Sequence, residues 1–157
     1  MTDDATDNAN VVIHPPIAWA LAFLAGLGID RIDHLAFVPA ALPRAWIGGA
    51  VFAAGLALAI SAIVTFRRAG TQIQTHKPST TIVAHGPYVF TRNPIYLGMM
   101  LGQVGLAIGF DSLWILIMLV PFYFVLRHGV IAREEAYLER KFGRVYLDYK
   151  SSTRRWI

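Results

Sequence analysis

Residues 45–66 read AWIGGAVFAAGLALAISAIVTF, a run with no charged side chain. As a helix it would be about 33 Å long, enough to cross a hydrocarbon core of about 30 Å. Residues 95–110 and 112–126 are equally free of charge. Across the 157 residues, 55% are hydrophobic and only 15% charged, against roughly 25% charged in ordinary globular chains. The polar residues cluster between the apolar runs instead of alternating with them. That pattern implies an all-α integral membrane protein. The length implies one domain. With no cysteine, disulfides and thiolate metal sites are excluded, and no metal site is expected.

Residues 11–29 form the first expected span. His14, Pro15 and Pro16 stand near its start, where a proline pair suits a helix better than in its interior. Asp30, Arg31, Asp33 and His34 end it, and the loop to Arg44 carries Pro39 and Pro43. Residues 1–10 read as an acidic flexible tail without the basic start of a cleavable signal, so the first apolar segment should remain as a membrane helix. Within 45–66, Ala45, Gly49 and Ala53 fall four apart. This small-xxx-small pattern predicts close contact with another helix.

Residues 69–91 are polar and lack helical period, and loops of that length are usually functional or disordered. Ile73, Ile82 and Val83 give this loop something to pack with. Residues 95–126 contain one charge, Asp111. They predict a short helical hairpin turning at Gly109-Phe110-Asp111-Ser112, with Asp111 or Ser112 capping the second arm. Gly98, Gly102, Gly105 and Gly109 share a face of the first arm. Helix packing accounts for Gly105 and Gly109, while Gly98 could serve packing or a ligand. From Gly129 the pattern turns amphipathic, with Ile131, Leu138, Phe142, Val145 and Tyr149 in one stripe. This predicts an interfacial helix, broken at Gly143, with Tyr137, Tyr146, Tyr149 and Trp156 at headgroup level. The expected fold is therefore about four transmembrane helices plus a C-terminal amphipathic interfacial helix.

Orientation follows from lysine and arginine. Residues 67–94 hold four and the segment after the last apolar run holds eight, whereas the other two loops hold Arg31 and Arg44 only. The first two segments should face the cytoplasm. The same distribution explains the net charge of +4 without nucleic acid, which is discounted as a partner.

The chemistry concentrates in HGPYVFTRNPIYLG, residues 85–98. Pro87 and Pro94 bar helix at the residue before each, and Gly86 allows a turn that a side chain would block. Arg92 and Asn93 stand where the chain enters oil, costly unless they have a partner. Arg127, His128, Glu134 and Glu135 begin the next polar segment at the same membrane face. The pairs Arg127/Glu134 and His128/Glu135 are seven apart and share a helix face. Glu134 and Glu135 read equally as a salt-bridge element or as ligand groups.

Gly86-Pro87-Tyr88, then Arg92-Asn93-Pro94-Ile95-Tyr96-Leu97-Gly98, then an apolar hairpin, then Arg133-Glu134-Glu135 form an ordered set. Leu138, Phe142-Gly143, Tyr146 and Tyr149 follow it. Together with Gly70-Thr71 through His76-Lys77-Pro78, the set resembles the prokaryotic branch of the isoprenylcysteine carboxyl methyltransferase family. That family belongs to a wider group of integral membrane methyltransferases that includes the phospholipid N-methyltransferases. The resemblance covers roughly residues 44–157. It implies methyl transfer from S-adenosyl-L-methionine to a lipophilic acceptor: an isoprenoid carboxylate or thiol, or a lipid amine. The cofactor pocket would be closed by the C-terminal segment.

On this reading residues 1–157 are one membrane methyltransferase domain, with two N-terminal spans in 11–66 and the cofactor-binding, catalytic part in 67–157. Arg92, Asn93, Glu134 and Glu135 are the catalytic candidates. His85, Gly86, Pro87, Tyr88, Arg92, Tyr96, Gly98, Glu134 and Tyr146 are the cofactor-binding ones. Arg92 suits the cofactor carboxylate, and Glu134 or Glu135 suits its ammonium. Tyr88, Tyr96 or Tyr146 suits the adenine or the sulfonium. His85 suits the cofactor or the loop turn. The expected location is a bacterial inner membrane with a cytoplasmic active site, and a homo-oligomer stays open. Two departures bear on specificity. Asn93 stands where the eukaryotic enzymes of the family carry a histidine, and the ending Thr153-Arg154-Arg155-Trp156-Ile157 lacks their proline. The competing expectation is a non-catalytic membrane scaffold that keeps only the fold.

Overall fold

The computed structural model describes residues 9–70 and 79–157. Most of the acidic tail, and the upstream element at 71–78 with Ile73, lie outside the described residues. Among the described residues every regular element is helical: α1 (Pro15–Asp30), α2 (Arg44–Arg68), a 3-10 turn (Gly86–Val89), α3 (Pro94–Phe110), α4 (Leu113–Ile117), α5 (Leu119–Phe124), a π-helical segment (Val125–Ile131), α6 (Ala132–Phe142) and α7 (Arg144–Ser152).

Two helical runs are long and apolar enough to cross a membrane, Arg44–Arg68 and Leu113–Phe142. The second joins α4, α5, the π segment and α6. α1 and α3 have 16 and 17 residues, about 24 and 26 Å at the helical rise, shorter than a typical hydrocarbon core. The apolar faces turn outward. Leu21, Leu24, Leu56, Ile60, Val120 and Phe124 are each about half exposed or more, the reverse of a water-soluble helix bundle. α1 starts on its proline pair, with Pro15 and Pro16 in the first helical positions.

The core of the fold is an antiparallel seam between α2 and α3. A Cβ on Gly98 would lie 2.5 Å from the Gly55 carbonyl oxygen, and one on Gly105 would lie 2.5 Å from the Phe52 nitrogen. One on Gly48 would meet the Gly109 nitrogen at 2.5 Å. Gly48, Gly55 and the fully buried Ala62 are seven apart and occupy one face of α2. The expected stripe Ala45, Gly49 and Ala53 is therefore on the wrong face. All three are exposed, and a Cβ on Gly49 meets nothing within 4 Å. A four-residue small pattern recurs on more than one face of a glycine- and alanine-rich helix. Sequence alone does not say which face the neighbour takes.

The hairpin turn forms where expected. Ser112 is the cap, its Oγ accepting from the Ile115 N–H at 3.3 Å. Asp111 instead closes α3 in the left-handed conformation, with φ of 54°. Its carboxylate accepts from the Phe37 and Val38 N–H groups at 2.9 and 2.8 Å and pairs with Arg44 at 2.7 Å, which ties the α1–α2 loop to the turn. Pro121 denies Ile117 its helical hydrogen bond, and the regular helix is interrupted at Met118 between α4 and α5. Gln103 of α3 donates to the nearby Ile115 carbonyl at 3.0 Å.

The C-terminal segment breaks at Gly143, whose φ of 51° and ψ of −122° suit only glycine. The break re-aims α7, so the stripe read across it fails. Val145 is 64% exposed, whereas Tyr137 and Tyr146 are buried within the protein and not set at its outer rim.

Gly105→Ala should lower stability by about 1–3 kcal/mol, because α2 and α3 must part to admit the methyl. Gly49→Ala should change it by less than about 0.5 kcal/mol or raise it. Thermal unfolding of the detergent-solubilised protein checks this, and equal effects would contradict the assigned seam.

Candidate active site

Asn93 precedes Pro94 and is held out of the helix, with φ of −127° and ψ of 51°. Arg92 and Asn93 therefore hang at the head of α3, while α6 and α7 fold across from them. Together they line an open cleft between the head of α3 and the C-terminal helices. Its charged lining among the described residues is Arg92, Glu134 and Glu135. Its aromatic lining is Phe66, Tyr88, Tyr96, Tyr137, Tyr146 and Tyr149. Pro94, Ile95 and Tyr96 also line it, so the positive end of the α3 dipole adds to the field there.

The two neighbouring glutamates have different partners. Glu135 accepts two hydrogen bonds from Arg155, from Nε at 3.0 Å and from Nη2 at 2.6 Å. It also faces Arg92 Nη2 at 3.4 Å. It is the shared counter-ion of two guanidiniums. Glu134 has no cation beside it among the described residues, and its Oε1 accepts from the Tyr96 hydroxyl at 2.7 Å. Arg92 is nearly enclosed, its side chain 10% exposed, and its Nε and Nη1 are buried with no hydrogen-bond partner among the described residues. Such orphaned donors are rare, because each forfeits its hydration. The cleft thus offers unsatisfied guanidinium N–H groups and an uncompensated carboxylate.

The tyrosines are structural walls and donors. Burial raises the Tyr88 and Tyr146 phenols above their usual range and pushes Tyr149 up to about 12, so none is a base near neutrality. The Tyr149 hydroxyl donates to the Tyr88 carbonyl at 2.9 Å, and the Tyr88 ring packs on Phe66 at 4.9 Å between centroids. The Tyr137 hydroxyl accepts from the Ser79 N–H at 3.1 Å and from Lys141 Nζ at 3.0 Å, bracing the polar loop against α6.

Of the residues expected from sequence, Tyr88, Arg92, Asn93, Tyr96, Glu134, Glu135 and Tyr146 line the cleft. His85 is exposed and, like Pro87, lies outside the lining. Gly86 makes the turn with φ of 61°, its α-carbon beside the Thr65 side chain. Gly98 faces α2 in the glycine seam. Asn93 donates through Nδ2 to the Arg155 carbonyl at 3.0 Å. Arg127 and His128 are also outside the cleft. Arg127 donates to the Tyr123 hydroxyl at 3.1 Å, and His128 stacks on Phe124. The π-helical segment is the cause, since its wider i→i+5 winding breaks the shared face expected at seven residues. Sequence reasoning missed Arg155 and Tyr149 as site residues. Tyr149 was findable, three residues after Tyr146 on the same face. No local signal marks Arg155.

Residues 43–145 match the phospholipid methyltransferase family. The chain belongs to that family, a membrane methyltransferase family within the wider group to which the motifs pointed. An uncharacterized protein of Haemophilus influenzae is 50% identical over 38 residues, which cover 24% of this chain and 60% of that relative. The chain thus spans about three fifths of the relative's length. No solved structure matches.

The two glutamates should respond differently to loss of charge in the ligand-free protein. Glu135→Gln strands two guanidiniums and should cost about 2–3 kcal/mol, less than for a fully buried pair because Arg155 is 34% exposed. Glu134→Gln removes an uncompensated carboxylate and should leave the melting temperature unchanged or higher. Equal losses in thermal unfolding would contradict the division of roles.

Proposed function

We propose that the protein is an S-adenosyl-L-methionine-dependent methyltransferase acting at the cytoplasmic membrane face on a lipophilic acceptor. Family membership supports methyl transfer. The observation that carries the donor assignment is the open Nε and Nη1 of Arg92, in one cleft with Glu134, both without a counterpart there among the described residues. A carboxylate suits the first, accepting from either open N–H, and an ammonium suits the second. The amino-acid end of S-adenosyl-L-methionine has both, so the residues fit the group. When bound it supplies an activated methyl on a sulfonium, a cation suited to tyrosine faces.

In this reading Arg92 and Glu134 orient the donor, and Tyr88, Tyr96 and Tyr146 enclose it and exclude water. Glu135 balances the charge of Arg92 in the ligand-free protein, and Asn93 anchors the tail. Alignment is the main task of the protein, because in-line displacement gains chiefly from orientation. A carboxylate or thiolate acceptor needs no base. A lipid amine arriving as ammonium must first lose a proton, and with Glu134 on the donor ammonium and Glu135 paired with Arg155, neither glutamate is free to receive it. Four spans, formed by α1, α2, α3 and the apolar part of Leu113–Phe142, bring the cleft to the basic, cytoplasmic side.

Purified protein should bind S-adenosylhomocysteine. Arg92→Ala and Glu134→Gln should each weaken that binding roughly 10- to 100-fold, the loss expected for a hydrogen bond to a charged group. Label from the membrane-impermeant donor should reach a lipid-soluble product in inverted vesicles but not in right-side-out ones. A scaffold would bind nothing, and unchanged affinity in both variants would rule out this site.

A further inference from the structure

Arg155 lies outside the matched family segment, yet the tail that carries it is tied to the donor cleft at four points. The Arg92 N–H donates to the Arg154 carbonyl at 2.9 Å. The Thr91 hydroxyl and the Asn93 amide both donate to the Arg155 carbonyl, at 3.1 and 3.0 Å. The Arg155 guanidinium grips both oxygens of Glu135. Thr91 and Asn93 are buried, so the tail carbonyl satisfies two groups that would otherwise be orphaned.

The consequence falls on Arg92. Glu135 has two oxygens and two guanidiniums nearby. Arg155 holds the short, paired contact, which leaves Arg92 only the 3.4 Å approach of Nη2. Without Arg155, Glu135 would be free to take a paired contact with Arg92, through Nη2 and one of the two donors now left open. We infer that Arg155 is a positioning residue: by occupying Glu135 it keeps the Arg92 donors available to an incoming carboxylate. This rests on the donor assignment above, and it makes the tail part of the binding site as well as its cover.

Two probes separate this role from general support of the fold. S-adenosylhomocysteine carries the amino-acid group, and 5′-methylthioadenosine keeps the nucleoside and lacks it. In full-length protein held in nanodiscs, Arg155→Ala should weaken S-adenosylhomocysteine binding roughly 10- to 100-fold and leave 5′-methylthioadenosine binding within about twofold, since that probe asks nothing of a charged hydrogen bond. Adding Glu135→Gln to Arg155→Ala should restore most of the lost affinity, because the competitor for Arg92 is then uncharged. Arg155→Lys, which keeps the charge without the paired geometry, should fall between. Equal weakening of both probes, no weakening of either, or no recovery in the double variant would overturn the inference while leaving the donor site standing. Wild-type protein that binds neither probe would overturn the donor site and this role with it.

Discussion

A guanidinium buried in a low-dielectric cleft is tolerable only with a counter-ion, and its cost without one is several kcal/mol. For Arg92 that counter-ion is Glu135, shared with Arg155 at distances of 3.4 Å and 2.6–3.0 Å. The unequal sharing is the constraint on which the site depends. Among the described residues it neutralises Glu135, leaves two donors of Arg92 open, and leaves Glu134 without a cation beside it.

The helical scaffold holds that arrangement at the head of α3. The glycine seam fixes α3 against α2 at backbone contact, so the head of α3 has a set height. Pro94 keeps Arg92 and Asn93 out of the helix. Gly143 turns α7 back so that Tyr146 and Tyr149 face Tyr88 and Arg92. The tail then closes onto Thr91 and Asn93. Each device is local, and together they bring residues as far apart as Phe66 and Tyr149 around one cleft.

Much of this was legible in the sequence because oil is a strict solvent. Charge-free runs, a proline pair at a helix start, and a glycine at a break state their structure plainly. The chemistry-bearing residues of the cleft, from Tyr88 to Tyr146, were legible because polar groups at the edge of an apolar run need a reason. What failed needed knowledge of a neighbour. Gly48 and Gly49 are adjacent and equally small, and only the position of α3 tells them apart. Glu134 and Glu135 differ through Arg155, twenty residues away. Arg127 and His128 were misplaced because a π-helical segment leaves no mark in hydropathy.

The chain belongs to the phospholipid methyltransferase family, and the cleft supplies a physical reason for the proposed donor. The account's central claim is that Arg92 and Glu134 receive the two ends of one zwitterion. An experimental structure with S-adenosylhomocysteine bound tests this most directly. The account predicts the ligand carboxylate about 2.7–3.2 Å from Arg92 Nε or Nη1, with the ammonium at Glu134. A ligand bound with its amino-acid end outside this cleft, or with Arg92 and Glu134 closed onto each other, would contradict it.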